Sequence, residues 1–180
     1  MELKEIKTPL EWMKLWKLYM QAFPECERKP LRLVWKVRKQ GKTDVWIIEQ
    51  EGKFAGFAIV MKDADLVLLD YLAVCDNKRG GGLGSRTLQK LWEKYPGKRF
   101  FLEIENVYVP AENLDERKRR KRFYAKNGMK EMGIMVNAFG AELELLTYQC
   151  RVDFEDYYGL YCSCYGEWAA KNLKRLPYPG

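Results

Sequence analysis

A glycine-rich stretch near the middle of the chain, NKRGGGLGSRTL at residues 77–88, has the composition of a phosphate-binding loop. Four of the five residues 80–84 are glycine, although glycine loses more chain entropy on folding than any other residue. A helix N-terminus carries unpaired N–H groups and a partial positive charge, and preceding glycines let a phosphate approach several amides. We therefore expect a phosphate-bearing ligand here; a tight strand-to-helix turn without a ligand is the alternative.

The two familiar nucleotide loops do not fit this stretch. A Walker loop needs Gly-Lys followed by Ser or Thr, and residues 77–88 contain no such combination. The dinucleotide pattern G-x-G-x-x-G also fails at its third glycine. After Gly80 and Gly82 that position holds Ser85, and after Gly82 and Gly84 it holds Thr87. The sequence therefore supports neither nucleotide-binding fold.

The overall composition excludes several kinds of chemistry. The 180 residues include no histidine, which removes Ser-His-Asp and Cys-His nucleophile sites and most transition-metal sites. The cysteines are odd in number and lack a paired CxxC pattern, so neither a disulfide framework nor a zinc site is expected; they are Cys26, Cys75, Cys150, Cys162 and Cys164. We expect no metal and a reducing cytoplasm.

The charge and the apolar runs indicate which partners suit the chain. Lys and Arg number 32 against 25 Asp and Glu, a net charge of +7 that suits an anionic ligand. The first residues, MELKEIKTPLEW, include acidic residues where a signal peptide would be apolar, and no apolar run approaches the roughly 20 residues that span a bilayer. We expect no membrane partner.

The elements that position the glycine loop follow from periodicity and capping patterns. Thr8, Pro9 and Glu11 form an N-cap, first helical residue and capping-box partner. Met13, Trp16, Met20 and Phe23 then fall on one helical face. The predicted elements are a strand at 3–7, helices at 9–23 and 31–39, a hairpin at 44–50 and 53–61, a strand at 66–74, a helix from 83 to 95, a strand at 99–107, a helix from 114 to 126, a strand at 142–148 that closes the sheet, and an aromatic segment with roughly helical spacing at 151–180.

The glycine-rich stretch contains Arg79-x-x-Gly82-x-Gly84, preceded by YLAV and followed by SRTLQKLW. Further along, RFYAKNGMKEMG at residues 122–133 has an aromatic-Tyr pair near a helix end, followed by a glycine. In this order, the two motifs resemble the acetyl-CoA loop and the later motif, which leads into a strand, of the GNAT superfamily of acyl-CoA-dependent N-acetyltransferases. The order of elements also matches over about residues 1–148.

The resemblance implies a fold, an activity and a cosubstrate. The implied fold is α/β (α+β), a mixed, mostly antiparallel central sheet flanked by helices. Residues 1–148 would form the acetyltransferase domain, and residues 149–180 a C-terminal helical extension packed on it. The implied activity is transfer of an acetyl group from acetyl-CoA to a primary amine by direct attack in a ternary complex.

The resemblance also assigns residues to acetyl-CoA. The loop amides would hold the pyrophosphate, with Ser85 at the helix start; these residues are Arg79, Gly80, Gly81, Gly82, Leu83 and Gly84. Backbone groups of Leu72, Ala73 and Val74 would pair with the pantetheine arm and polarise the thioester carbonyl.

Tyr124 falls where the family's tyrosine protonates the departing thiolate. A phenol keeps its proton at neutral pH and can pass it to a sulfur that becomes anionic as the bond breaks. A packed core aromatic is the alternative for Tyr124.

The attacking amine must lose a proton, so a carboxylate should lie near the thioester. Asp70 is the first candidate for this base, because it interrupts an apolar strand. Its side chain should also point to the same face of the strand as those of Leu72 and Val74, since alternate residues of a strand share a face. Glu105, at the end of the next strand, is the second. A solvated residue at a strand end or an ion-pair partner is the alternative for both.

Some segments depart from the family pattern. Six consecutive basic residues run from Arg117 to Arg122; they could contact the cofactor's 3′-phosphate or an acidic substrate, and for most of them a solvated helix face is favoured. Glu25 and Glu27, in the connection between the first two helices, could attract a cationic amine. Cys75 is expected to be a packing residue, because the family transfers acyl groups directly.

Three functions remain in view. The first is the N-acetyltransferase, with the amine acceptor and a homodimer left open. The second is a CoA-binding sensor or scaffold that has lost transfer. The third, a nucleic-acid binder, is least favoured, because the basic helix lacks the interleaved aromatics of a single-strand platform.

Overall fold

The structure, a computed structural model, describes residues 1–179 except for the side chain of Cys26. Strands and helices are mixed along this range, and the strand pairings found within each compact unit are antiparallel. The predicted α/β fold class is therefore confirmed. The elements are β1 (Glu2–Glu5), α1 (Pro9–Ala22), α2 (Leu31–Lys39), β2 (Thr43–Gln50), β3 (Lys53–Asp63), β4 (Leu66–Val74), α3 (Leu83–Lys94), β5 (Arg99–Glu105), α4 (Leu114–Lys126), β6 (Met129–Ala138), β7 (Ala141–Tyr148), α5 (Phe154–Tyr165), α6 (Glu167–Ala170) and β8 (Leu173–Leu176).

The chain forms two compact units. The first comprises residues 1–62 and 69–96, and the second comprises residues 63–68 and those from Gly97 onward. The strand order is β1-β2-β3-β4 in the first unit and β5-β7-β6-β8 in the second.

In the first unit, apolar side chains on both faces of the strands are buried. Ile47 and Ile48, adjacent on β2, enter two different clusters, as the alternation of a strand requires. One cluster joins α1 and α2 to the strands through Leu15, Tyr19 and Val34. The other includes Leu83, so the first residue of α3 is anchored against the strands.

Helix α1 begins as predicted but buries a different face. The Thr8 hydroxyl accepts a hydrogen bond from the Glu11 N–H (3.2 Å), and the Glu11 carboxylate accepts one from the Thr8 N–H (2.8 Å). The core receives Leu15, Leu18 and Tyr19. The opposite stripe is 45–58% exposed and consists of Leu10, Met13, Trp16 and Met20. We call these four residues the α1 apolar stripe.

In the second unit, a strand that the sequence did not predict pairs with β6. Residues 135–138 of β6 pair with β8, so that Met135 lies opposite Leu176 and Ala138 opposite Leu173. The prediction that β7 closes the sheet is therefore wrong, because β7 lies between β5 and β6. Strand β8 has only four residues, LKRL, and two of them are charged, so its composition gives little β signal.

The C-terminal helix is capped and tied to the second unit by Arg99. Asp153 and Asp156 form a capping box at the start of α5. The Arg99 guanidinium donates to both carboxylate oxygens of Asp156 (2.6 and 2.9 Å) and to Asp65 (2.7 Å). The segment after residue 148 is thereby held to β5 and to residues 63–68.

Within residues 1–179, none of the helices combines the length and the apolar character needed to cross a bilayer.

Candidate active site

The glycine loop has the backbone conformation that its composition predicts. Gly80 and Gly82 have φ values of 84° and 70°, which residues other than glycine rarely adopt. A Cβ added at Gly80 or Gly81 would meet no heavy atom within 4 Å. The backbone therefore has open space beside it, as a loop that lets a ligand approach closely requires.

The start of α3 leaves amides available for an anion. Gly82 is the N-cap in a left-handed conformation, and it has no side chain to compete for the first N–H groups. The N–H of Arg86 donates to the Gly82 carbonyl (3.1 Å), so the amides of Leu83, Gly84 and Ser85 precede this bond. The burial of Leu83 fixes the direction of the helix.

Two guanidinium groups lie beside the loop. Arg79 Nε donates to the Val74 carbonyl (3.3 Å), and its Nη2 lies 3.0 Å from Asp76. Arg86 Nη1 donates to the Gly81 carbonyl (2.7 Å). Together with the helix dipole, both charges favour an anion at this position.

The last residues of β4 are held close to β3. Leu72 and Val74 pack against one apolar cluster and Ala73 belongs to the other. A Cβ added at Gly56 would lie 2.3 Å from the Ala73 carbonyl oxygen. Only glycine at position 56 allows this approach, so Gly56 sets the position of the strand that leads into the loop.

Asp70 forms a buried ion pair with Lys29. Its side chain is 3% exposed, and Oδ1 accepts a hydrogen bond from Lys29 Nζ (2.7 Å). Oδ2 is buried and has no hydrogen-bond partner among the described residues. One carboxylate oxygen is therefore held by a cation, while the other has no hydrogen-bond donor beside it among the described residues.

Tyr71, in the first unit, holds the connection between α1 and α2. The Tyr71 hydroxyl donates to the Glu27 carbonyl (2.7 Å) and accepts from the Lys29 N–H (3.1 Å). Burial raises the pKa of Tyr71 above its usual range, so its hydroxyl stays protonated. Glu25 is exposed and Glu27 half-buried, and their contact with a cationic amine stays a prediction.

In the second unit, Tyr124 lies near Glu105 and Arg120. The Tyr124 side chain is buried on α4, and its ring packs edge-on against Phe123 (5.1 Å between centroids). Burial raises the pKa of Tyr124 to about 12; Arg120 acts in the opposite direction, and Glu105 raises it further. At neutral pH the phenol is therefore protonated, as a general acid must be.

Glu105 is paired rather than free. It is the last residue of β5, its side chain is 9% exposed, and Oε2 contacts Arg120 Nη1 directly. Arg120 precedes Tyr124 by one helical turn, so α4 presents both side chains on one face. The structure thus brings together Tyr124, Glu105 and Arg120, while Asp70 is paired with Lys29.

Cys75 has the surroundings of a packing residue. Its thiol is free and packs against the core of the first unit. Burial raises the pKa of the thiol, which disfavours the thiolate that a nucleophile needs.

Three cations of the candidate site were not predicted individually. Lys29 is 41 residues from Asp70, and no local pattern connects the two. Arg86 could have been noticed because it follows Gly82 by one helical turn. Arg120 belongs to a basic run in which composition alone does not separate paired from free cations.

Comparison with known families gives one match to a family model. The model described as an acetyltransferase (GNAT) domain matches residues 41–131, just over half of the chain. None of the curated proteins matches the chain.

Solved structures with the same fold are distant in sequence. A protein from Bacteroides thetaiotaomicron described as a GNAT-family acetyltransferase is 22% identical, with a TM-score of 0.73 over 92% of this chain and 99% of that one. An aminoglycoside 6′-N-acetyltransferase complexed with coenzyme A is 17% identical, with a TM-score of 0.65 over 85% and 100%. The ribosomal-protein-S18-alanine N-acetyltransferase of Escherichia coli is 18% identical, with a TM-score of 0.62 over 86% and 97%. These similarities show the fold.

Proposed function

This chain belongs to the GNAT family of acetyltransferases, and on that premise we propose that it transfers an acetyl group from acetyl-CoA to a primary amine. The amine nitrogen attacks the thioester carbonyl directly, the carbon–sulfur bond breaks, and the products are an amide and free CoA. No covalent acyl-enzyme is needed, which agrees with the raised pKa of Cys75.

The glycine loop is the observation that carries the proposal. Its open backbone at Gly80 and Gly81 and the amides at the start of α3 suit a pyrophosphate. The proposed binding residues are Arg79, Gly80, Gly81, Gly82, Leu83, Gly84 and Ser85, with the backbone of Leu72, Ala73 and Val74 for the pantetheine arm. We add Arg86, because its guanidinium already contacts the loop.

Proton transfer is assigned to Tyr124 and to one carboxylate. Tyr124 donates its proton to the departing thiolate, because its phenol is protonated at neutral pH. Asp70 remains the first candidate for the base that accepts the amine proton, because Oδ2 is unpartnered within the described residues. Glu105, in contact with Arg120, is the second.

Calorimetric titration with acetyl-CoA, with ATP and NAD as controls, tests the binding step. We expect acetyl-CoA to bind and both controls to fail, and absence of acetyl-CoA binding contradicts the proposal. Release of free thiol is then followed with a panel of amines. The panel contains an aminoglycoside, a polyamine and a peptide with a free N-terminus, because aminoglycoside and protein acceptors both occur in the names of similar structures.

A CoA-binding sensor or scaffold without transfer is the second candidate. The observation in its favour is that both candidate bases are already paired with cations, Asp70 with Lys29 and Glu105 with Arg120. Binding of acetyl-CoA without thiol release for any amine would support it.

The proposed organisation follows the same family premise. Residues 1–148 form the acetyltransferase domain, and residues 149–180 form an extension of it. We propose the cytoplasm as the location, since Cys75, Cys150 and Cys162 carry free thiols. Light scattering on the purified chain distinguishes a monomer from a homodimer.

A further inference from the structure

The six basic residues 117–122 on α4 separate into an inner and an outer group. Arg117 donates to the side chain of Asn113 (2.8 Å) and to the carbonyl of Asn106 (3.0 Å). Arg120 contacts Glu105. These two cations are therefore neutralised or hydrogen-bonded within the second unit.

Lys121 is the third inner cation and has the largest set of partners. Its Nζ lies 2.7 Å from Glu144, 2.9 Å from Glu131 and 3.0 Å from the Tyr108 hydroxyl. Burial opposes its charge, but these hydrogen bonds hold the pKa of Lys121 above its usual range. The inner group is therefore part of the fold.

The outer group has no such partners. Lys118, Arg119 and Arg122 are exposed, as is Lys126 one turn further on. Among the described residues, none of these four side chains forms a hydrogen bond or an ion pair. We call these four residues the α4 cationic face.

Helix geometry places the four side chains on one narrow surface. At 100° per residue, Lys118, Arg122, Lys126 and Arg119 lie at about 0°, 40°, 80° and 100° around the helix axis. No other residue of 118–126 falls within this arc. The face is about 12 Å long, because each residue of a helix adds about 1.5 Å along its axis. Asp115, one turn before Lys118, lies in the first turn of α4, where a negative charge complements the helix N-terminus.

We propose that the α4 cationic face binds the phosphate backbone of a nucleic acid without reading its bases. Unpaired cations at intervals of about one helical turn can each neutralise a phosphate, and the two arginines offer planar forks that match phosphate oxygens. The site lacks an aromatic surface for stacking, so contact is limited to the backbone.

An acidic protein is a weaker match to this surface. Protein interfaces gain most of their energy from apolar or aromatic anchors at the centre, whereas nucleic-acid interfaces are more polar and more positively charged. The arc that holds the four cations has no apolar side chain. The nucleic-acid proposal does not depend on acetyl transfer, because it concerns a different set of residues.

The salt dependence of binding to a short labelled RNA and to a DNA duplex tests this proposal. Four neutralised phosphates predict a slope of log K against log salt of about −3.6 for the duplex and about −2.8 for a single strand. Replacing all four cations with glutamine should remove most of this slope and weaken binding at least tenfold at low salt. Lys14, Lys17, Arg32 and Lys36 are also exposed, and their replacement with glutamine is the control, since it removes the same charge.

Three results would overturn the proposal. One is absence of RNA and DNA binding at about 50 mM salt. Another is that the control substitutions weaken binding to RNA and DNA as much as the fourfold variant does, which would mean that the net charge alone determines the affinity. The third is that the fourfold variant loses affinity for acetyl-CoA but not for dephospho-CoA, which would assign the face to the cofactor's 3′-phosphate.

Fold and partner class are checked separately. The thermal midpoint of the fourfold variant should match that of the parent; if it does not, the double variant Lys118→Gln/Arg122→Gln should still halve the salt slope. A poly-glutamate peptide that displaces the RNA at equal charge concentration would favour an acidic protein and contradict the proposal.

Discussion

At the scale of single residues, pairing determines which candidate groups can react. Tyr124 is buried with a raised pKa and keeps its proton, whereas Asp70 and Glu105 each carry a cationic partner. The sequence suggested all three residues, two from parity and position along a strand and one from family resemblance. Their partners Lys29 and Arg120 were not predictable, because both pairings are tertiary contacts.

Tyr124→Phe should lower turnover by about 10²–10⁴-fold, because it removes only the proton donor. Acetyl-CoA affinity should stay unchanged, since the ring remains in place. Because the pKa of Tyr124 is about 12, loss of its proton should not limit turnover near neutral pH. Steady-state kinetics across pH, with calorimetry for affinity, measure both effects.

Tyr161→Phe is the control for this change, because Tyr161 is also buried and donates to Glu103 (3.0 Å). It should alter stability and leave turnover near the parent value. Equal turnover of Tyr124→Phe and parent at every pH would exclude Tyr124 as the acid.

Gly82→Val should abolish measurable acetyl-CoA binding. A β-branched residue is strained at φ 70°, and its side chain would meet Arg86 Nη1, which lies 3.3 Å from an added Cβ. Gly97→Val is the control, because Gly97 has φ 71° and open space around it. Both variants should lose about 1–3 kcal/mol of stability, but only Gly82→Val should lose binding. Retained affinity in that variant would contradict the loop assignment.

At the scale of elements, β4 and α3 form the unit that positions the loop. Their bounds follow from sequence, because an apolar run, a glycine cluster and a helical pattern succeed one another. Which face of α1 is buried did not follow, since apolar residues lie on both sides of that helix. Periodicity shows that a face exists, and packing against the strands selects it.

Gly56→Ala should displace β4 at Ala73 and weaken acetyl-CoA binding together with stability. The added Cβ would lie 2.3 Å from the Ala73 carbonyl oxygen, a contact that only a backbone shift relieves. We expect a loss of about 1–3 kcal/mol in the free energy of unfolding, measured by urea denaturation.

Gly159→Ala is the matched control for the change in β3. Gly159 lies within α5 and has open space beside it, so alanine should stabilise the chain by about 0.5–1 kcal/mol. If Gly56→Ala is as stable as Gly159→Ala, β3 and β4 do not need the close approach between Gly56 and the Ala73 carbonyl oxygen.

At the scale of the whole molecule, contacts distant in sequence define each compact unit. The strand order β5-β7-β6-β8 places β8 beside β6, although 34 residues of the chain lie between Ala138 and its partner Leu173. Local propensity does not encode such pairing. Arg99, which joins Asp65 and Asp156, is likewise visible only in the folded chain.

Arg99→Gln should lower the thermal midpoint by a few degrees at pH 7 and much less at pH 3. Hydrogen bonds from Arg99 lower the pKa of Asp65. Burial raises the pKa of Asp156, but the hydrogen bonds from Arg99 and from the Asp153 backbone, together with the Arg99 charge, lower it on balance. Groups with a lowered pKa stabilise the fold above about pH 4 and lose this contribution as the pH falls further. Thermal melts over this range measure the difference.

Arg151→Gln is the comparison for this variant, because Arg151 is exposed and adjacent to the same segment. It should leave the midpoint within about a degree of the parent. A deficit of Arg99→Gln that is equally large at pH 3 and pH 7 would contradict the ion-pair explanation.

The α1 apolar stripe has a consequence for the colloidal behaviour of the protein. At low ionic strength, the net charge of +7 keeps copies apart, and the second virial coefficient should be positive. Added salt screens this repulsion within about 10 Å at 0.1 M and leaves the attraction between exposed stripes unopposed. The protein should therefore become less soluble as salt is added, the reverse of the salting-in that many polar surfaces show.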